Sequence, residues 1–362
     1  MTRARICLNM IVKNEAHVIE RCLSSARPLI DAWCIVDTGS SDGTQARIGE
    51  LMAGLPGALH ERPWRNFGHN RSDALELARA QGCDYLLFID ADEWFDAPAG
   101  FAWPPLGADG YELPCHYAGI TYARCALVAT RLPWRWEGVL HEYLACDEPH
   151  QLAALPAPRI VVHHDGARAR DPHTYLKDIA VLQAALAAQP DNTRNVYYLA
   201  QSLRDAGRLA EARQRYLQRA AMGGWDEEAW HARYQAALLA ERLQDAPDAV
   251  RAAYLIAYEA RPTRAEPLLQ LARWHRERQE YAQACLYAQQ AAAIPQPADR
   301  LFVEPGVYQW QALDELAVSA FYARAPHLLA AGRGAMQQLL AADGLPEDVR
   351  TRVRANAGFY GL

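Results

Sequence analysis

The sequence predicts an α/β domain followed by an all-α domain, and three observations carry that prediction. In the first half, short apolar runs end abruptly in polar loops and alternate with segments whose apolar residues recur at helical spacing. From about Tyr175 the composition becomes alanine-rich and strand-like runs are few. The chain has 362 residues, enough for two domains that each bury a core. The division is expected at residue 170, giving an α/β domain over 1–170 and a helical domain over 171–362.

The first strand is read at Ile6–Val12, and Lys13-Asn14-Glu15 opens a helix with Val18, Ile19, Cys22 and Leu23 as its apolar stripe. Standing alone, Lys-Asn-Glu is an ordinary polar helix start. Trp33–Val36 makes a second strand, and the small residues of Asp37–Thr44 lead into another helix. Strand, loop and helix in this order begin a nucleotide-binding unit, in which ligands sit beyond the carboxyl ends of the strands. Asp37, at such an end, suits a ribose or base edge, although a capped Asp/Gly turn would read the same way. The polar loop Trp64–Arg71 then enters a helix with Ala74, Leu75, Leu77 and Ala78 inward, which brings Arg71 toward the next strand end.

That next strand, from Tyr85 to Ile89, runs into Asp90-Ala91-Asp92-Glu93. Strand side chains alternate between faces, so Asp90 and Asp92 are expected on the same side as the strand leaves the sheet. Two hard oxygen donors placed so suit a divalent cation, Mn²⁺ or Mg²⁺. By itself an Asp-x-Asp triplet is more often only an acidic turn.

The segments Asn9–Glu15, Val36–Thr44 and Leu87–Glu93, in this order and spacing, closely resemble the family 2 glycosyltransferases, whose nucleotide-sugar-binding fold is called GT-A. The resemblance covers about the first 170 residues. It implies that Asn14, Asp37 and Asp90 lie at the nucleotide and that Asp92 holds a metal on the diphosphate. It also implies a nucleoside diphosphate sugar donor, UDP-linked in this reading.

Beyond the acidic segment, Gly110–Pro114 and Ile120–Thr130 read as strands, followed by a stretch rich in aromatic and charged residues. Trp134 and Trp136 offer flat faces to sugar C–H groups. Trp136-Glu137-Gly138-Val139-Leu140-His141-Glu142 resembles the acceptor-side segment of this branch of the family, with Glu142 the first choice of catalytic base and Glu137 the second. An ion-pair role with Arg131 and Arg135 is the competing reading for both. Ile160–Val162 then leads into His163-His164 and a Gly-containing basic loop, which suits a third metal ligand and a mobile diphosphate clamp at Arg168. The resemblance supports His163 as that ligand, but neighbouring strand residues face opposite ways, and His164 stays open as the alternative.

In the second half, Val196, Leu199, Ala200, Leu203, Ala212 and Tyr216, with Gly207 at a turn, resemble the tetratricopeptide pattern. Leu268, Leu271, Ala272 and Ala284 repeat it about two ~34-residue periods later, with a degenerate copy around Trp230–Pro262. Such a solenoid suits a polypeptide acceptor in its concave groove, or a homodimer contact, or a buttress.

Composition narrows the remaining classes. A formal net charge of −6 without a basic block at either end argues against nucleic acid as partner. Ile6–Val12 is too short for a signal peptide and no uninterrupted apolar span reaches membrane length, so no transmembrane segment and a cytoplasmic location are expected. The eight cysteines are scattered singly and are expected to be reduced core residues. Together these readings predict a metal-dependent inverting glycosyltransferase acting on a protein, peptide or glycan acceptor. A protein-interaction scaffold with a vestigial transferase domain and a nucleotidyltransferase are the alternatives.

Overall fold

The computed structural model describes residues 3–117 and 120–362, which divide into two compact units, Met1–Pro190 and Asp191–Leu362. In the first unit β1 (Ile6–Val12), α1 (Ile19–Ala26), β2 (Ala32–Asp37), α2 (Thr44–Leu51), β3 (Gly57–Glu61), α3 (Phe67–Arg79) and β4 (Tyr85–Phe88) alternate along the chain. β1 runs parallel to β2 and β4, which flank it, with Val12 beside Asp37 and Asn9 beside Phe88. One face of the sheet sets Ile6, Leu8 and Met10 against Ile19 and Leu23 of α1. The other sets Cys7, Cys34, Leu86 and Phe88 against Leu75 and Ala78 of α3. Strands covered on both faces are nearly all apolar, which is why they read as near-continuous runs, and the buried exception in β1, Asn9, donates to the carbonyls of Cys34 and Ala74. Each fully buried Leu or Ile contributes about 1.5–3 kcal/mol.

The chain continues through β5 (Trp94–Asp96), β6 (Gly110–Tyr117), β7 (Ile120–Ala129), β8 (Arg135–Glu137), β9 (Tyr143–Ala145), β10 (Leu152–Ala154) and β11 (Arg159–Val161). The main sheet has the order β3-β2-β1-β4-β7-β6-β11-β5, with β10 beside β6, while β8 and β9 pair separately. β7 is antiparallel to β4, so the sheet is mixed. The chain leaves β1 toward β2 and later returns to β4 on the other side of β1. The crevice beyond the carboxyl ends of β1 and β4 is therefore a topological switch point, where open α/β sheets bind ligands. α4 (Ala167–Arg170) and α5 (Thr174–Ala188) complete this unit. The compact units thus divide at Pro190, beyond the residue 170 expected from composition, and the ion pair of Arg168 with Asp178 of α5 ties that helix to the first unit.

The second unit is entirely helical: α6 (Thr193–Asp205), α7 (Leu209–Ala221), α8 (Asp226–Arg242), α9 (Pro247–Ala260), α10 (Glu266–Glu277), α11 (Tyr281–Ala292), α12 (Ala312–Ala323), α13 (Pro326–Ala341) and α14 (Glu347–Ala357). The tetratricopeptide-type positions Val196, Leu199, Ala200, Leu203, Ala212 and Tyr216 are all buried. The turns that close α6/α7, α8/α9 and α10/α11 each carry one residue in the left-handed region, Gly207, Gln244 and Gln279. Glycine adopts that conformation without strain, and glutamine takes its place at the later two turns. Trp230, Tyr254 and Trp274 belong to the core, while Trp225 is exposed. A π-helical turn at Val307–Gln311 leads into α12. Among the described residues no helix is long and apolar enough to cross a membrane. All eight cysteines are free, and six of them are buried.

Candidate active site

The acidic segment is shaped differently from the expectation. β4 ends at Phe88, and residues 90–93 form a turn in which Glu93 N–H donates to the Asp90 carbonyl at 3.1 Å. That turn, rather than strand alternation, brings Asp90 and Asp92 to one cavity of about 780 Å³ at the β1/β4 crevice. The third carboxylate, Glu93, is buried: Oε2 accepts Asp90 N–H at 3.1 Å, and both oxygens pair with Arg124 of β7 at 2.5–2.9 Å. All three carboxylates border the cavity, but Glu93 is held by Arg124 and fixes the turn.

Arg71 decides the environment of Asp90. Its Nη2 donates to Asp90 Oδ1, its Nε donates to Glu142 Oε1 at 2.5 Å, and its guanidinium carbon lies 5.1 Å from the centroid of Trp136. Burial opposes ionisation of Asp90, but Arg71 and then Arg124 outweigh it and hold the carboxyl below its ordinary range. Asp92 lacks such a partner, and burial followed by the charge of Asp90 pushes its carboxyl up. Two glycines let α3 approach the loop before Glu142: Gly68 N–H donates to the Gly138 carbonyl at 3.1 Å, and a Cβ on Gly68 would lie 2.3 Å from that oxygen. Arg71, one helical turn further along α3, is thereby delivered to Glu142.

Glu142 and Glu137 separate clearly. Glu142 lines the cavity, whereas Glu137 does not; its oxygens accept from Arg135 at 2.5 Å and from Tyr143 Oη at 2.7 Å. The tryptophans expected as sugar platforms are placed elsewhere. Trp134 is 3% exposed in the core beneath α3, and Trp136 packs edge-on to Phe88 at 5.2 Å. Apolar packing claimed both rings, and the aromatic side chains that do line the cavity are Trp64 and Phe67, at the entry to α3.

Of the two histidines, His164 lines the cavity, and its charge when protonated would favour ionisation of Asp92. His163, the residue preferred from sequence as metal ligand, is not among the lining residues: its Nδ1 lies 3.3 Å from Asp165 and its ring 5.7 Å from Trp94. The chain leaves β11 at Val161, and it is the second histidine that reaches the cavity. Next in the chain, Gly166 N–H approaches Asp92 Oδ2 at 3.4 Å, and a Cβ there would lie 3.0 Å from that oxygen. Arg168 also lines the cavity, but it is paired with Asp178, Nη1 donating at 2.9 Å, and lies over the Phe67 ring at 5.4 Å.

Asn14 and Asp37 organise the loops at the ends of β1 and β2. Asn14 adopts φ 58°, lines the cavity, and accepts Ser41 N–H at 2.8 Å. Asp37 is fully buried behind the cavity wall, where Oδ1 accepts from Gly39, Ser40 and Gln45 at 2.8–3.0 Å. Burial opposes its ionisation, yet those donors hold its carboxyl below the ordinary range, and Oδ2 has no hydrogen-bond partner among the described residues. Glu15, part of the first motif but given no role from sequence, lines the cavity too, and burial pushes its carboxyl up to about 7, with Asp92, Asp42 and Asp90 adding to the effect.

Among the described residues no three His, Cys, Asp or Glu side chains converge as a ready metal cage. Two carboxylates and an imidazole along one cavity, with Asp92 raised by burial and then by Asp90, are instead a partial donor set that a divalent cation would relieve. Mg²⁺-type sites commonly consist of one or two carboxylates completed by substrate phosphates.

Residues 7–99 match the sequence model of glycosyl transferase family 2. A TPR repeat-containing protein of Synechococcus elongatus is 30% identical over 273 residues, which is 68% of this chain and 64% of that protein. The chain thus spans somewhat under two thirds of the length of that relative. Among solved structures, the MamA protein is matched with a TM-score of 0.38 and 14% identity over 49% of this chain and 90% of that one. Residues 1–349 of S. aureus TarS, solved in complex with UDP, are matched with a TM-score of 0.32 and 13% identity over 71% and 87%. Scores this low add nothing to the reading of the site. The first unit thus holds a region matching glycosyl transferase family 2 within a mixed α/β sheet, and a tetratricopeptide-like helical array follows it.

Proposed function

We propose that the chain is a metal-dependent inverting glycosyltransferase that moves a sugar from a nucleoside diphosphate sugar, UDP-linked in our reading, to a protein, peptide or glycan acceptor. The observation that carries this reading is the gathering of Asp90, Asp92, His164, Arg71 and Glu142 around one cavity at the switch point of a family 2 glycosyltransferase domain. Asp92, with Asp90 and His164, would hold Mn²⁺ or Mg²⁺. Such a cation neutralises charge on a departing diphosphate.

The remaining roles belong to the protein's own groups. Asp37, buried behind the cavity wall, and Asn14, which lines it, would keep the loops at the ends of β1 and β2 in the shape that receives the nucleotide. Arg71 holds Glu142 Oε1, leaving Oε2 to accept the proton of the acceptor hydroxyl. As that proton moves, the hydroxyl oxygen bonds to the anomeric carbon from the face opposite the diphosphate. The electron pair of the breaking carbon–oxygen bond leaves with the diphosphate. Arg168 assists that departure once it exchanges Asp178 for phosphate oxygens. The concave face of the helical array is our candidate for the acceptor.

The test is a panel of nucleotide sugars incubated with Mn²⁺ and assayed for products. Release of nucleoside diphosphate supports the reading. Release of pyrophosphate would favour a nucleotidyltransferase, and no turnover with any donor would favour a scaffold. Full activity in EDTA would remove the metal from the mechanism.

A further inference from the structure

Sequence reading missed Arg21, on the exposed-looking side of α1. Its Nη1 and Nη2 donate to the two carboxylate oxygens of Asp165 at 3.0 and 2.7 Å, and Nη2 also donates to the Asp92 carbonyl oxygen at 2.9 Å. One planar fork thus joins the acidic turn to the loop that carries His164. The guanidinium rests on Trp94, 4.7 Å from the ring centroid. Trp94 begins β5 directly after the acidic turn and pairs with Val161 of β11, just before the histidines. Two further groups from the same end of the chain brace this loop: Glu15 accepts Ala167 N–H at 3.1 Å, and His17 Nε2 lies 2.9 Å from the Asp165 carbonyl oxygen.

We infer that Arg21 is a positioning residue for the cation site, setting the separation between Asp92 and His164 without touching the cation. The inference rests on the metal reading given above. Two donor groups from segments far apart in sequence can share a cation only if their backbones are held together before it arrives. Arg21 spans that junction with three hydrogen bonds in fixed geometry. A lysine retains the charge but, as a point donor on a flexible stem, cannot reproduce the bidentate pair together with the carbonyl contact.

Mn²⁺ binding, measured by titration calorimetry in the presence of UDP, tests this with the full chain, R21M, R21K, D165N and the R21M/D165N pair. Groups that orient metal ligands typically contribute about 10–100-fold in affinity, and R21M and D165N are each expected to lose that much. R21K is expected to lose nearly as much. The double variant should be no weaker than the worse single variant, because both cut the same link. UDP affinity in EDTA and the metal-free unfolding midpoint should change little, which separates positioning from general loosening. If R21M does not fold, R21K and D165N carry the test. Wild-type Mn²⁺ affinity in both of those, or strictly multiplicative losses in the double variant, would overturn the inference while leaving the metal reading intact. Absence of Mn²⁺ uptake by the wild-type protein would overturn both.

Discussion

In the helical unit, Arg264 and Glu266 are both fully buried, and every charged oxygen and nitrogen between them is occupied. Arg264 donates to Glu266 at 2.8–3.1 Å, to Asp299, and to the carbonyls of Leu301 and Phe302. Arg219, also fully buried, donates Nε to Glu228 Oε1 at 2.6 Å and Nη1 to the Gly223 carbonyl at 2.7 Å. In the α/β unit Glu93 is satisfied by Arg124 in a similar way, but at the cavity Asp92 and Glu15 are raised, and behind its wall Asp37 keeps an oxygen without a hydrogen-bond partner among the described residues. Buried charge that is fully satisfied internally specifies packing, whereas buried charge left in want of a partner marks the place where a ligand completes the set.

Substitutions in the two units should therefore fail in different currencies of measurement. Asp92→Ala is expected to have the largest effect, abolishing Mn²⁺-dependent UDP binding and lowering turnover by about 10³-fold or more, given the several kcal/mol a cation can supply. Its denaturation curve should stay near wild type. Arg264→Met should do the reverse, destabilising the protein by about 3–5 kcal/mol in chemical denaturation, since it leaves buried carboxylates unpaired. UDP affinity below the transition should be unchanged, and a loss of UDP binding there would break the contrast.

Within the first unit, Glu142→Gln should keep UDP affinity while lowering turnover by about 10²-fold, as removal of a general base typically does. Glu137→Gln, whose parent side chain is engaged by Arg135 and Tyr143 outside the cavity, should leave turnover near wild type. Reversal of the two results would move the base to Glu137.

The smallest effects are in pH dependence, and the two units should oppose each other. The Glu15 carboxyl is raised to about 7 in the folded protein, so the folded state binds the extra proton between the ordinary value of 4.5 and 7. Its contribution to stability is present below that window and is lost as pH rises through it. His231 in the helical unit is lowered to about 3 by burial, then by Arg264 and Arg204. The unfolded chain therefore binds the extra proton between about 3 and 6.5, and this contribution is lost as pH falls through that window. Comparing denaturation of E15Q and H231Q with wild type across pH 4–8 should flatten the first dependence and the second separately. Identical pH profiles for all three proteins would contradict both assignments.

How much was legible beforehand follows the range of the interaction concerned. Alternating apolar runs and helical stripes, the three loop motifs and the alanine-rich repeats are local patterns, each set by a backbone period or by the residues of a single loop. The amino-acid sequence alone therefore determined the α/β and all-α order, and it singled out Asn14, Arg71, Asp90, Asp92 and Glu142, which line the cavity, as well as Asp37, which lies buried outside the lining. Glu15 lay within the first of the three motifs and Trp64 opened the loop before α3, but neither was given a role as cavity wall.

Tertiary structure decided everything that depends on which of two adjacent or similar groups turns inward. It chose His164 over His163 for the cavity wall and Glu142 over Glu137, and it took Trp134 and Trp136 into packing. It converted the acidic segment from a strand end into a turn held by Glu93 and Arg124. It also recruited Arg21 across the chain to Asp92 and Asp165. These outcomes rest on contacts between residues far apart in sequence, whose geometry is settled only when the sheet order brings β1, β4, β7 and β11 together. A period of two or of 3.6 residues fixes which side of its own element a side chain occupies, but the neighbour it meets there is set by the packing of the whole domain.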